Sequence, residues 1–259
     1  MNLRFDHVVL LVHDLERAAA DFAALGFSIL ERADLNASHG STVFRFVSLG
    51  DGSYILLTAF TGPDAMAKHR LGTCLAAGEG HADWSFTVPD ASALGRRLKD
   101  AGFPANGPVV VSNVVEGGHK WSLDLLMLGR GADGDVALPF VVSDNEGRNH
   151  RIPGPSMHAN GATAMLGIRL STTSVDGVVN TLIALGGTEA GESPNTAGDR
   201  RIDFGETWID VAPGDVAGGR PGGGIVEVVL ASTDPQLPPG GRVLDMALAH
   251  GAPIRLLKA

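Results

Sequence analysis

The chain has 259 residues, 44% of them hydrophobic and 19% charged, with a formal net charge of −9. That is enough apolar material for one large packed domain or two modest ones, and it excludes disorder along the whole length. The acidic balance, with no Lys/Arg cluster, argues against a nucleic-acid partner, and no apolar run reaches the roughly 18 residues of a membrane span.

The first element in chain order is the strand VVLLV, at residues 8–12. No basic region followed by a cleavage site surrounds it, so the N-terminus reads as a strand and not as a signal peptide. Asp14 then offers a side-chain oxygen to the free N–H groups of a helix's first turn. Leu15, Ala18, Ala19, Phe22 and Leu25 follow at helical spacing, and Gly26 supplies the left-handed residue that stops the helix. The segments FSILE, STVFRFVSL and SYILLTAF are strands, the last preceded by the turn Gly50-Asp51-Gly52. Cys74 is the single cysteine, which excludes an intramolecular disulfide and fits a reducing, cytoplasmic setting. With no base or cation beside it in GTCLAAG, it reads as an inert thiol.

The same order of elements returns twice. Residues 82–107 give the strand WSFTV, the cap Asp90, the apolar stripe Leu94, Leu98 and Ala101, and the stop Gly102. The strands PVVVSNVV, HKWSLDLLML and ALPFVVSD follow. Between the last two, residues 129–134 match GxGxxG, but the loop leads into a strand and not a helix, so it is a turn and not a dinucleotide site. A connector carries His150 and His158 and the turn Asn160-Gly161. Residues 166–191 give the strand GIRLS, the cap Ser174, the stripe Val178, Leu182 and Leu185, and the stop Gly186. The strands RRIDF, ETWIDVAP and GIVEVVLA follow, with a glycine-rich loop at 214–224 between the last two. The tail, residues 236–259, has a Pro-Pro-Gly-Gly entry and a short helix expected at Arg242–His250.

One strand, one helix and about three strands make a βαβββ half-module, whose sheet face needs covering. The expected fold is therefore α+β: repeated half-modules forming cupped mixed sheets with helices on the outside. Residues 1–152 are expected to pair two half-modules around one cup. Residues 153–235 form an odd third half-module, whose exposed edge predicts a homodimer.

The opening segment FDHVVLLVHDLERAAADFAALGF, the turn His39-Gly40-Ser41-Thr42 and the strand SYILLTAF resemble the glyoxalase-like domain proteins of the vicinal oxygen chelate superfamily. LPFVV, starting at Leu138, and MHANGAT, at 157–163, support that resemblance over roughly residues 3–232. It implies a site inside the cup. Many members hold a divalent metal there, such as Zn, Fe, Mn or Ni, on ligands from the first and last strands of a half-module. Their chemistry is of lyase, isomerase, epimerase or dioxygenase type, while other members only sequester a ligand.

On that pattern the first-strand histidine is His7, an apt ligand as neutral imidazole. The equivalent position in the second copy is Asp83, with His81 two residues earlier, and in the third it is Gly167. The family's last-strand carboxylate falls on Leu56, so one ligand is missing. Asp210 in Trp208-Ile209-Asp210-Val211 mirrors that slot, and Asp144 and Glu227 are further carboxylates. His39, in the loop 36–41, is the candidate general base. Two functions follow. One is a metal-assisted enzyme acting on a small oxygenated organic compound; the other is a ligand-binding protein with a degenerate site. His7 favours the first and Leu56 the second.

Overall fold

Alternation along the first strand sets the architecture. In β1 (Arg4–Leu11), Val8 and Leu10 are packed in one apolar cluster, while Val9 and Leu11 belong to a second cluster on the opposite face. After β1 the chain caps α1 (Leu15–Ala24) with Asp14, whose carboxylate accepts from the backbone N–H of Arg17. β2 (Thr42–Ser48) and β3 (Tyr54–Phe60) complete the first unit. The segment FSILE, expected as a strand, contributes a single bridge between Leu30 and Phe46. The computed structural model describes residues 3–32, 34–35, 40–194, 196–214 and 223–259.

Two short helices, α2 (Pro63–Lys68) and α3 (Gly72–Ala76), lead to the second unit. That unit comprises β4 (Gly80–Thr87), α4 (Ala91–Asp100), β5 (Asn106–Val114), β6 (Lys120–Met127) and β7 (Phe140–Glu146). Asp90 caps α4 as expected, accepting from the N–H of Ala93. The single-turn α5 (Arg148–Arg151) follows. β1 runs parallel to β3 and β4 parallel to β7, while β1 and β4 pair antiparallel at the centre. The result is a seven-stranded sheet in the order β2-β3-β1-β4-β7-β6-β5.

The third unit has the same plan: β8 (Ala162–Thr172), α6 (Val175–Leu185), β9 (Thr188–Glu192), β10 (Arg200–Phe204) and β11 (Thr207–Pro213), with β8 parallel to β11. Ser174 makes no side-chain cap here, in contrast to Asp14 and Asp90. The segment GIVEVVLA does not close this unit. It lies in β12 (Gly224–Ser232), which pairs antiparallel with β8 as β4 does with β1. The helix expected at Arg242–His250 is instead the two-residue strand β13 (Arg242–Val243) and a series of turns leading to β14 (Ile254–Lys258). A hydrogen bond from the N–H of Leu244 to the Ile254 carbonyl closes β13 onto β14, and β14 runs parallel to β12. Residues 224–259 thus build a helix-less fourth unit that pairs with the third. The second sheet has the order β13-β14-β12-β8-β11-β10-β9. The unpaired third unit that motivated a homodimer is partnered within the same chain.

The helix-bearing, convex faces of the two sheets share one core. Phe22 of α1, Leu94 and Leu98 of α4, and Val178 and Leu182 of α6 pack in the cluster that also holds Val8, Trp84, Ile168 and Val228. Phe86 and Phe204 meet across it at 4.5 Å between ring centroids. The connector is pinned beside α1, where Asn160 donates through its backbone N–H to the Gly26 carbonyl and through its amide to the Leu25 carbonyl. Gly26 stops α1 at φ 89°, and a Cβ there would sit 2.9 Å from the Asn160 nitrogen, so the close approach and the helix stop require the same glycine.

Candidate active site

The concave face of the first sheet carries a cavity of about 180 Å³. Strand register decides what lines it. On β1, β3 and β4 one row holds Tyr54, His7 and Ser85, and the next holds Leu56, Val9 and Asp83. Phe140 of β7 extends the first row. Phe44 and Phe46 from β2 and Trp121 and Leu123 from β6 line the flanks. The wall is mostly apolar, as a pocket for an organic ligand requires.

Between Phe5 and His7 the pairing with β4 shifts register, and Asp6 sits at that irregularity with no exposed surface. Its carboxylate accepts from Nδ1 of His7 at 2.8 Å, from Nη2 of Arg148 at 2.6 Å and from the Tyr54 hydroxyl at 3.3 Å. Arg151 donates to the Tyr54 oxygen at 3.1 Å and, with Arg148, clasps Asp144. Burial alone would raise the Asp6 pKa. The bond from His7 and the positive guanidinium groups of Arg151 and Arg148 more than offset it, so Asp6 is held well below the usual carboxylate range. Burial pushes the Tyr54 hydroxyl up, with the Asp6 charge acting in the same direction.

His7 is lowered from its ordinary value, because burial outweighs its bond to Asp6, and the ring is neutral at pH 7. A carboxylate can only accept, so the ring proton is on Nδ1 and the Nε2 lone pair is bare. The ring stacks on Tyr54 at 4.5 Å between centroids and meets the edge of Phe140 at 5.3 Å.

Three arginines line the cavity. Arg32 lies 4.9 Å from the Trp121 centroid and 5.4 Å from that of Phe46, with Asp34 in a bidentate pair. Arg151 reaches it from α5. Arg70 lies 4.9 Å from the Phe140 centroid and pairs through Nη1 with Asp83 and the Arg130 carbonyl. Its Nε and Nη2 hydrogens have no hydrogen-bond partner among the described residues. The indole N–H of Trp121 is likewise buried without one.

The residues named from sequence are dispersed. His7 lines the cavity. Asp83 is on the same face one row along, but Arg70 and the N–H of Trp84 engage its carboxylate. His81 is not in the lining; its Nε2 donates to the Pro253 carbonyl at 3.0 Å and ties β4 to the fourth unit. Asp210 belongs to the second sheet, held bidentate by Arg201 and by the Ser193 hydroxyl at 2.6 Å. His39 lies outside the described residues. The expected ligand set His7, His81, Asp83 and Asp210 does not converge, and among the described residues no group of three His, Cys, Asp or Glu side chains is placed to hold a metal. The physical reason is that arginine or backbone partners already occupy the second-strand and second-sheet donors. His158 is a structural pin: the N–H of Ser28 donates to its Nδ1, and its Nε2 donates to the Ser48 carbonyl.

Sequence reasoning passed over Asp6, Arg32 and Arg151, and in the connector between the first two units it passed over His69 and Arg70. Both line the cavity. The available signal was the Lys68-His69-Arg70 triplet in a link longer than the unit plan requires.

The second cup keeps the register and changes the side chains. Gly167 pairs with Trp208 as His7 pairs with Tyr54, Arg169 pairs with Asp210 as Val9 pairs with Leu56, and Glu227 faces Arg169 as Asp83 faces Val9. The Trp208 indole lies over Gly167, where a Cβ would meet ring atoms at 2.3 Å. Three arginine–carboxylate pairs, Arg201–Asp210, Arg169–Asp199 and Arg255–Glu227, cross this face.

A sequence profile of the glyoxalase-like domain matches residues 5–186, well over half of the chain. The chain belongs to the glyoxalase-like domain family. Within the vicinal oxygen chelate superfamily, this glyoxalase-like chain shares its fold with a hypothetical protein from Staphylococcus aureus at TM-score 0.74 and 13% identity, over 99% of this chain and 100% of that one. A triple mutant of 4-hydroxymandelate synthase from Streptomyces coelicolor aligns at TM-score 0.55 and 13% identity, over 89% of this chain and 71% of that one. A xylose isomerase-like TIM barrel/4-hydroxyphenylpyruvate dioxygenase fusion protein aligns equally well, but the match spans only 37% of its length. No curated protein matches by sequence. No helix among the described residues is long and apolar enough to cross a membrane.

Burial lowers the pKa of His7, His69 and His158. Below about pH 6.5 the unfolded chain therefore binds more protons than the folded one, and stability falls. Urea midpoints measured from pH 8 to pH 5 are expected to be flat above about pH 6.5 and to decline below it. A further fall is expected below about pH 4, where Asp6 favours the folded state less and less.

Proposed function

We propose that this glyoxalase-like chain binds a small oxygenated organic compound in its first cup and moves a proton on it, in lyase- or isomerase-type chemistry, with His7 as the base. The observation that carries this reading is the Asp6–His7 pair on the cavity wall: a buried carboxylate fixes the imidazole tautomer and leaves Nε2 as proton acceptor. Phe44, Phe46, Leu56 and Phe140 suit an apolar body, and the Arg70 N–H groups that have no partner among the described residues suit a carboxylate or similar oxygen group.

Divalent metals are common in the superfamily. A Zn, Fe, Mn or Ni ion at His7 would need two or three more donors. The row beside His7 offers Tyr54, Ser85 and Phe140, and Leu56 occupies the carboxylate slot. The described residues do not fit a metal centre, so no step is routed through one. A second reading, a protein that only sequesters its ligand, is favoured by that same Leu56.

Equilibrium dialysis against phenylpyruvate, followed by elemental analysis of the protein, tests the choice. Saturable binding that weakens about tenfold in Arg70→Ala supports the binding mode. Release of solvent-exchangeable protons from the bound compound supports the enzyme, and binding with no such exchange supports sequestration. Near-stoichiometric metal lost on His7→Ala would overturn the metal-free reading.

A further inference from the structure

We propose that His69 is a second catalytic residue, a neutral hydrogen-bond donor that stabilises negative charge on a substrate oxygen while His7 takes the proton from the neighbouring carbon. The inference rests on the reading of His7 above and extends it to a reaction class: proton abstraction next to a carbonyl.

The argument is one of tautomers. The backbone N–H of Leu71 donates to Nδ1 of His69 at 3.2 Å. A backbone N–H can only donate, so Nδ1 carries the lone pair and the ring proton is on Nε2. Burial, with the charge of Arg70 adding to it, lowers the His69 pKa and keeps the ring neutral. At His7 the partner is a carboxylate, and the assignment is reversed. Two neutral imidazoles thus line one cavity in opposite tautomers, one with a bare Nε2 and one with an Nε2–H. The chain geometry enforces this difference. His69 ends α2 in extended conformation, its N–H bonded to the Met66 carbonyl and its ring edge-on to Phe60 at 5.3 Å.

A neutral imidazole N–H is suited to polarising a carbonyl, because it gives a hydrogen bond without first having to lose a charge. The step balances without a co-reactant. The Nε2 of His7 takes a proton from the carbon next to the carbonyl, and the C–H electron pair becomes a C=C bond. The carbonyl π pair moves to oxygen, where the Nε2–H of His69 and the N–H groups of Arg70 hold it. His7, now imidazolium, returns a proton to carbon. In D2O the proton returned is a deuteron.

Two measurements decide the matter. Nitrogen-15 NMR of histidine-labelled protein at pH 7 is expected to show His7 as the Nδ1–H tautomer and His69 as the Nε2–H tautomer, both neutral. The opposite tautomer or a charged ring at His69 overturns the proposal. With phenylpyruvate in D2O, the protein is expected to accelerate deuterium incorporation at the carbon beside the keto group. His69→Phe should lose at least tenfold in that rate with less than a twofold change in binding, whereas His69→Gln, which retains an N–H at similar reach, should recover most of it. A His69→Phe rate unchanged, or reduced only in step with binding, overturns the role of His69. Phenylpyruvate that binds without faster exchange overturns the pair, and failure to bind at all overturns the ligand class on which both readings stand.

Discussion

Asp6→Asn is expected to lower the stability of the fold by about 3–5 kcal/mol, the range for removing one partner of a buried ion pair. Asp6 has no exposed surface and serves His7, Tyr54 and Arg148 at once. An amide cannot accept from all three as a carboxylate does, and Arg148 and Arg151 are left to share Asp144. A second effect is chemical. Where the amide donates to Nδ1 of His7, the ring proton moves to Nε2 and the base is lost, so proton exchange on phenylpyruvate should fall by about 10²–10⁴-fold. Urea denaturation reads the first effect and deuterium exchange the second. A variant as stable as the parent, with His7 still in the Nδ1–H form, would contradict both.

The second large effect lies in the other sheet. Arg169→Met is expected to cost about 3 kcal/mol, toward the lower end of the range for a broken buried pair, because the Arg169 side chain is 22% exposed. Its bidentate partner Asp199 is only 2% exposed and has no other ion pair among the described residues. The methionine preserves much of the stem packing, so the loss reports the stranded carboxylate. Arg169→Met combined with Asp199→Asn should regain part of it, since no unpaired buried charge remains. A double variant that is less stable than the sum of the two singles would refute this account.

Much of the fold could be read in the sequence because helix caps and stops are local. Asp14 and Asp90 cap as their positions require, and Gly26, Gly102 and Gly186 all take positive φ after their helices. The fourth unit escaped notice because it has no helix. Without a cap and a stop, GIVEVVLA read as the last strand of its predecessor, and only its antiparallel pairing with β8 identifies it as an opening strand. At the site, His7 was legible from its place in the opening strand. Asp6 was not, since alternation assigns it to the opposite face and only the register shift brings its carboxylate to His7. For His69 and Arg70 the triplet was visible but its orientation was not, because a connector has no periodicity to state which way its side chains turn. The residues named as ligands are dispersed for a related reason: spacing gives the strand face but not the cation that has already claimed a carboxylate.

The matched registers of the two cups allow their floors to be compared position by position. Positions 7, 9, 54, 56 and 83 on one side correspond to 167, 169, 208, 210 and 227 on the other. The central strands keep one register and differ in their side chains, while the flanking strands are shared out differently, three in the first unit against four in the third. One face has a small hollow walled mostly by aromatic and aliphatic side chains. The other, crossed by arginine–carboxylate pairs, also has a hollow, of about 450 Å³, but one walled by charge, so the two faces present opposite chemistry to whatever enters them.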